Sequence, residues 1–195
     1  MRNSIALDST RLQRLQQTPL WDFALALYTK PGVEAACLTL QDDAGLDVCE
    51  VLLHCWLYSC GLEAMPAALE REREQRRLWQ CQVTEVLRGL RRDLKAMAAT
   101  SESVTALRET IKQAELMAER ENLQRWQTWV CEAPSDEKRV RNIAEMPPDA
   151  ANWLRKQLLY SQSDHASGGS IKTQNAWLYS LQTLTYQLDP HQGAR

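Results

Sequence analysis

The stretch Leu46 to Gly61, LDVCEVLLHCWLYSCG, holds only a few polar side chains in sixteen residues and stops on a glycine. At about 100° per residue on a helical wheel, Asp47, Glu50 and His54 fall inside one strip roughly 60° wide, and nearly every other position is apolar. A helix lying on a surface needs a broad polar face, which this one lacks. It therefore reads as a central helix enclosed by neighbours, with one narrow polar seam. Gly61 suits its C-terminal cap because glycine tolerates positive φ.

Working outward toward the N-terminus, Thr18-Pro19 offers an N-cap followed by proline at the first helical position. Leu20, Phe23, Ala24 and Leu27 then mark one apolar face of a short helix that ends before the turn signal Lys30-Pro31-Gly32. Val33, Ala36, Cys37 and Leu40 repeat the pattern, and Asp42-Asp43-Ala44-Gly45 closes it. Three short helices joined by tight turns make a compact N-terminal cluster. Residues 1–17 read as a loose polar lead-in or a short docking helix.

Toward the C-terminus, Trp79, Val83, Val86, Leu90, Leu94 and Met97 recur at threes and fours in a helical pattern running from Pro66 to Met97. Thr100 and Ser101 break it, and Val104, Leu107, Ile111, Ala114 and Ala118 resume the spacing. This predicts an antiparallel helical hairpin in which Leu94 meets Leu107 and Leu90 meets Ile111, with Arg92 near Glu109. Past Cys131, Glu132 to Ser135 reads as a linker, with a short helix expected after Ser135. Met146-Pro147-Pro148 interrupts, Asp149 caps a helix through Tyr160, and residues 161–173 look the most flexible of all. Thr173 then caps a last helix with Trp177, Leu178, Leu181, Leu184 and Leu188 on one stripe. The expected fold is all-α: residues 1–131 as a helical core domain with a long hairpin, and 132–195 as a smaller C-terminal helical region.

Composition agrees with a folded helical chain. Of 195 residues, 44% are apolar and 25% charged, which argues against wholesale disorder. A formal charge of -2 gives no global case for nucleic acid or an anionic membrane, so any such case must be local. The N-terminus lacks the apolar core of a signal peptide, and the longest apolar run is too short and too polar to cross a bilayer, so a cytoplasmic protein without membrane insertion is expected. The six cysteines (37, 49, 55, 60, 81 and 131) include no C-x-x-C pair, and in a reducing compartment they behave as small hydrophobes rather than metal ligands. No metal and no cofactor is expected.

Several segments carry a family likeness. Leu20 to Tyr28, Pro31 to Leu38, Gln41-Asp42 and Gly45 to Val48 resemble an uncharacterised family of short proteobacterial proteins. Trp79, Leu87-Arg88, Arg91-Arg92, Leu94-Lys95, Leu107-Arg108, Ile111-Lys112 and Glu115-Leu116 continue the likeness, which covers roughly residues 19 to 131. The resemblance implies a bacterial cytosolic helical protein and carries no activity with it. Where similar sequences tend to have asparagine after Asp-Val, this chain has Cys49.

Two constellations bear on function. Asp43, Asp47, Glu50 and His54 lie on or near one face, and carboxylates beside an imidazole can bind a cation or move protons. The spacing Asp43-x-x-x-Asp47 is similar to the aspartate motif of all-helical prenyl synthases, but no second motif accompanies it. The bland reading is a solvent-facing strip helped by acids near a helix N-terminus. The second constellation is basic: residues 71–95 carry eight cations against four acids, and Arg88, Arg92 and Lys95 point away from the Leu90 seam, with Arg91 on the flank. The segment from Glu70 to Arg77 reads as a solvated surface. Catalytic signatures such as G-x-S-x-G or H-E-x-x-H do not occur. The leading expectation is a non-enzymatic interaction or adaptor protein that holds an unidentified protein partner on Arg88, Arg91, Arg92 and Lys95. One alternative is a helical enzyme or small-ligand binder in which Asp47, Glu50 and His54 face those cations across a polar cavity. A third reading is RNA or ribosome association through the same basic face.

Overall fold

The computed structural model describes residues 9–133, 137–159 and 171–188, and the fold is all-α apart from one pair of three-residue strands. The elements run α1 (Ser9–Gln17), α2 (Leu20–Tyr28), α3 (Val33–Asp42), α4 (Val48–Ser59), β1 (Leu62–Ala64), α5 (Pro66–Trp79), a π-helical turn (Gln80–Thr84), α6 (Glu85–Asp93), α7 (Lys95–Ala98), α8 (Glu102–Cys131), β2 (Val140–Asn142), α9 (Ala150–Leu159) and α10 (Ile171–Leu188).

Helix α4 is the rod its sequence predicts. Residues Val51 to Leu57 are all buried, and α2, α3, α8, α9 and α10 pack around it. Asp47 caps it by accepting the Cys49 amide at 2.9 Å, and Gly61 takes φ 72° just past its end. Around the rod a single buried cluster joins Leu15, Leu20 and Leu40 to Trp126, Leu154, Leu181 and Leu184, each fully buried. At about 25 cal/mol per Å² of apolar surface removed from water, that cluster is the main source of stability.

Local details differ from the sequence reading at several points. Helix α2 begins at Leu20 with Pro19 as its cap, and Thr18 contributes no capping hydrogen bond; its carbonyl instead accepts the Trp56 indole at 2.8 Å. Residues 137–139, where the sequence predicts a short helix after Ser135, are not helical. Val140–Asn142 pairs antiparallel with Leu62–Ala64, Glu63 facing Arg141, because the chain after α4 is already extended and needs partners for its amides. The last helix begins at Ile171, ahead of Thr173. Residues 160–170, which cover most of the expected flexible segment, lie outside the described residues.

The hairpin exists, but its predicted apolar seam is only partly covered. Val86, Leu90, Met97 and Leu107 are 48% to 53% exposed, while Leu94, Val104 and Ile111 are half-buried and Ala118 is buried, so the predicted seam faces largely outward around Leu90. What meets α8 is the other side of α6: Arg88 is 4% exposed and Glu115 7%. The expected pair of Arg92 with Glu109 is absent; Arg92 reaches Asp42 at 3.2 Å and Glu109 lies near Arg108 and Lys112. Nor is the segment from Glu70 to Arg77 wholly solvated, since Arg73 and Arg76 are buried. No helix among the described residues is long and apolar enough to cross a membrane.

Candidate functional site

A cavity of about 160 Å³ opens where α2, α4 and α8 meet the π-helical turn and α6. Its walls are apolar: Trp21, Ala24 and Leu25 from α2, Leu52 from α4, and Leu116 and Leu123 from α8. Its polar groups are Asp47, Cys49, Arg88, Glu119, the Tyr28 phenol and the amides of Gln41 and Gln80. Each is delivered by a specific local feature. Asp47 and Cys49 form the first turn of α4, fixed by the cap. Gln80 stands on the π-helical turn, a widening of the helix that is often found at functional sites. Glu119 comes from α8 one turn beyond Glu115, so both carboxylates face α6.

Arg88 organises the charge. Its Nε donates to Glu115 Oε1 at 2.9 Å, Nη1 to Glu85 Oε1 at 2.7 Å and Nη2 to Glu119 Oε1 at 2.9 Å. Arg91 adds a bond to Glu115 Oε2 at 2.5 Å. Burial would raise the Glu115 carboxyl, but the two guanidiniums hold it below the usual carboxylate range. Glu119 goes the other way: burial raises it despite its contact with Arg88, and the neighbouring Glu115 charge adds to the rise. Asp47 is pushed up to about 6, first by burial and then by the Glu50 charge, against the bond from the Cys49 amide. The Cys49 thiol is held well above its ordinary value by burial and by the charges of Asp47 and Glu119, which favours its protonated form.

The predicted polar strip is split by this arrangement. Asp43 is exposed beyond the end of α3, and Asp47 lines the cavity. Glu50 and His54 do not face solvent, as the bland reading expected, and do not reach the cavity. They sit under α5 and α9: His54 Nε2 lies 3.4 Å from Glu50 Oε1, and Arg73 donates to the same oxygen from Nε at 2.7 Å. Burial would raise Glu50, but His54 and Arg73 hold it low. The Trp153 ring stands edge-on to His54 at 6.5 Å, and Arg73 Nη2 also donates to the Gln157 carbonyl at 2.8 Å. This cluster is an internal tie between α4, α5 and α9.

The predicted basic face is also divided. Arg88 is buried in the cavity floor, Arg91 is bound to Glu115, and Arg92 pairs with Asp42 on the surface. Lys95 remains exposed. Among the described residues no group of three His, Cys, Asp or Glu side chains is placed to hold a metal ion. The residues that sequence reasoning missed are Trp21, Glu119 and Arg73. A signal for Glu119 did exist: Glu115 and Glu119, four apart on α8, match Arg88 and Arg91, three apart on α6, as ion-pairing partners across a hairpin.

Residues 19–126 match the family described as "Protein of unknown function (DUF2390)", and the chain belongs to that family. Neither the curated proteins nor the solved structures contain a match to the chain.

Proposed function

From membership of a family with no assigned activity, we propose that the protein is a small-molecule binder and that its ligand occupies the cavity between α2, α4 and α8. The observation that carries this reading is the convergence of apolar walls with Asp47, Arg88 and Glu119 in one concave site, the usual construction of a ligand pocket. The volume suits a compact molecule, since a dry cavity of about 150 Å³ accommodates benzene. Binding is favoured over covalent catalysis because the surroundings of the Cys49 thiol favour its protonated form. The test is a fragment titration followed by amide chemical shifts. Binders should perturb Trp21, Cys49 and Leu116, and Leu116→Trp, at a position 43% exposed on the rim, should abolish their effect. Perturbations elsewhere that survive Leu116→Trp would remove the proposal.

A second reading keeps an interaction protein but moves its surface. Arg88 and Arg91 are committed internally, which takes away most of the support for a basic docking face or an RNA contact. The exposed Val86, Leu90, Met97 and Leu107 form the alternative surface, large apolar groups of the kind that mark interfaces. Leu90→Glu combined with Met97→Glu should then abolish retention of a partner from native extract and leave ligand binding intact; unchanged retention counts against it.

A further inference from the structure

We propose that the ligand is a small organic cation, a protonated alkyl or arylalkyl amine whose ammonium is held by Asp47 and Glu119 and whose hydrocarbon body lies against Trp21, Leu52 and Leu116. The inference rests on the small-molecule reading above and adds the ligand's charge.

Three observations point the same way. The first is the charge count. Glu85, Glu115 and Glu119 all contact Arg88, and Arg91 is bound to Glu115, so three carboxylates face two guanidiniums and one negative charge is left over among these contacts, with Asp47 lining the same cavity. The second is the commitment of the cation. Among the described residues Arg88 is the only basic side chain lining the cavity, and Nε, Nη1 and Nη2 each already donate to a carboxylate. A carboxylate or phosphate ligand would have to compete with three carboxylates for that guanidinium. The third is the wall. Trp21 lines the cavity with a ring that already faces one cation, the Arg120 guanidinium 5.4 Å from its centroid, so its surface suits a positive charge.

Protons enter with the sign this predicts. The groups that act on Asp47 are Glu50 and Cys49 on its own helix, Asn122 from α8 and Arg76 from α5. Against Glu119 stand Arg88 and Arg91 from α6, Glu115 from α8, Tyr28 from α2 and Cys49 from α4. An arriving ammonium favours both carboxylates in their charged form, so binding releases protons below neutral pH and tightens as pH rises through about 6.

The test titrates the full chain with benzylamine, benzyl alcohol and benzoate by isothermal calorimetry at pH 5 and pH 7.5. Benzylamine should bind at least about tenfold more tightly than the alcohol at pH 7.5, the gain expected from one charge-assisted hydrogen bond, and benzoate should not bind. Its affinity should fall at pH 5. Asp47→Asn and Glu119→Gln should each remove most of the preference for the amine over the alcohol; Asn caps a helix as well as Asp, so the first variant keeps its fold. Alcohol or benzoate binding as tightly as the amine overturns the inference while the cavity reading stands. So does amine binding indifferent to both substitutions. Failure of all three probes overturns both.

Discussion

Asp47 is pulled in two directions. As the cap of α4 it accepts the Cys49 amide, which favours its charged form, yet burial and the Glu50 charge raise it to about 6. An acid whose folded value lies above its unfolded one, about 3.9, holds an extra proton in the native state. Its favourable contribution is therefore complete below about pH 4 and is lost as pH rises through about 6. Replacing Asp47 with Asn keeps the cap and removes the charge. The variant should be about 2 kcal/mol more stable than the parent near pH 8 and equal to it near pH 4, measured by urea unfolding at both. A parent and variant that differ equally at the two pH values would show that Asp47 ionises normally. The strip containing Asp47, Glu50 and His54 was legible in the sequence because helical periodicity gives angles. What the angles omit is the neighbour: α8 and the cavity lie beside the first turn of α4, while α5 and α9 cover the turns that follow. One strip thus ends in two environments.

At the scale of elements, α6 and α8 show how a helix can be read correctly and oriented wrongly. Periodicity separated Leu90 from Arg88 without saying which side meets the core. The assumption that leucine goes inward failed because α8 presents Glu115 and Glu119, and a buried guanidinium with a carboxylate on each nitrogen is satisfied. Removing the cation while leaving its acids is costly. Arg88→Met should destabilise by about 3–5 kcal/mol at neutral pH, and adding Glu115→Gln and Glu119→Gln should restore most of that. The parent's own contribution from Glu115, whose folded value is depressed, is present above the ordinary carboxylate range and lost as pH falls through the folded value, so the penalty of Arg88→Met should shrink in acid. The outward stripe predicts the opposite sensitivity. Leu90→Gln, at a position 48% exposed, should change stability by less than about 1 kcal/mol, whereas a leucine buried in a hairpin seam would cost several times more. Both sets of values come from denaturant midpoints, and a large loss at Leu90 would restore the leucine seam.

Across the whole molecule, the C-terminal helices complete the core that the first hundred or so residues begin. The stripe on α10 was plain in the sequence, and its need for a cover was too; the cover is α3, with Leu181 and Leu184 fully buried in the same cluster as Val33 and Leu40. The approach is close at the α2–α3 turn, where Gly32 takes φ 80° and a Cβ there would lie 3.1 Å from Thr183 Cγ2. Lys30 Nζ donates to the Gln187 carbonyl at 2.5 Å, and Gln187 Nε2 to the Pro31 carbonyl at 3.2 Å. The β1–β2 pair adds a second tie, too short at three residues a strand to leave a pattern in the sequence. Because α10, α9 and α4 share one apolar cluster, opening the last helix should expose surface that the rest of the fold depends on. Leu184→Ala should cost about 2–5 kcal/mol, as a fully buried leucine does. Under native conditions, amides of residues 177–188 and of residues 48–59 should exchange hydrogen through openings of similar free energy, and the substitution should lower both together. If residues 177–188 exchanged far sooner while α4 kept its protection in the variant, α10 would be an appendage docked on a core that stands without it.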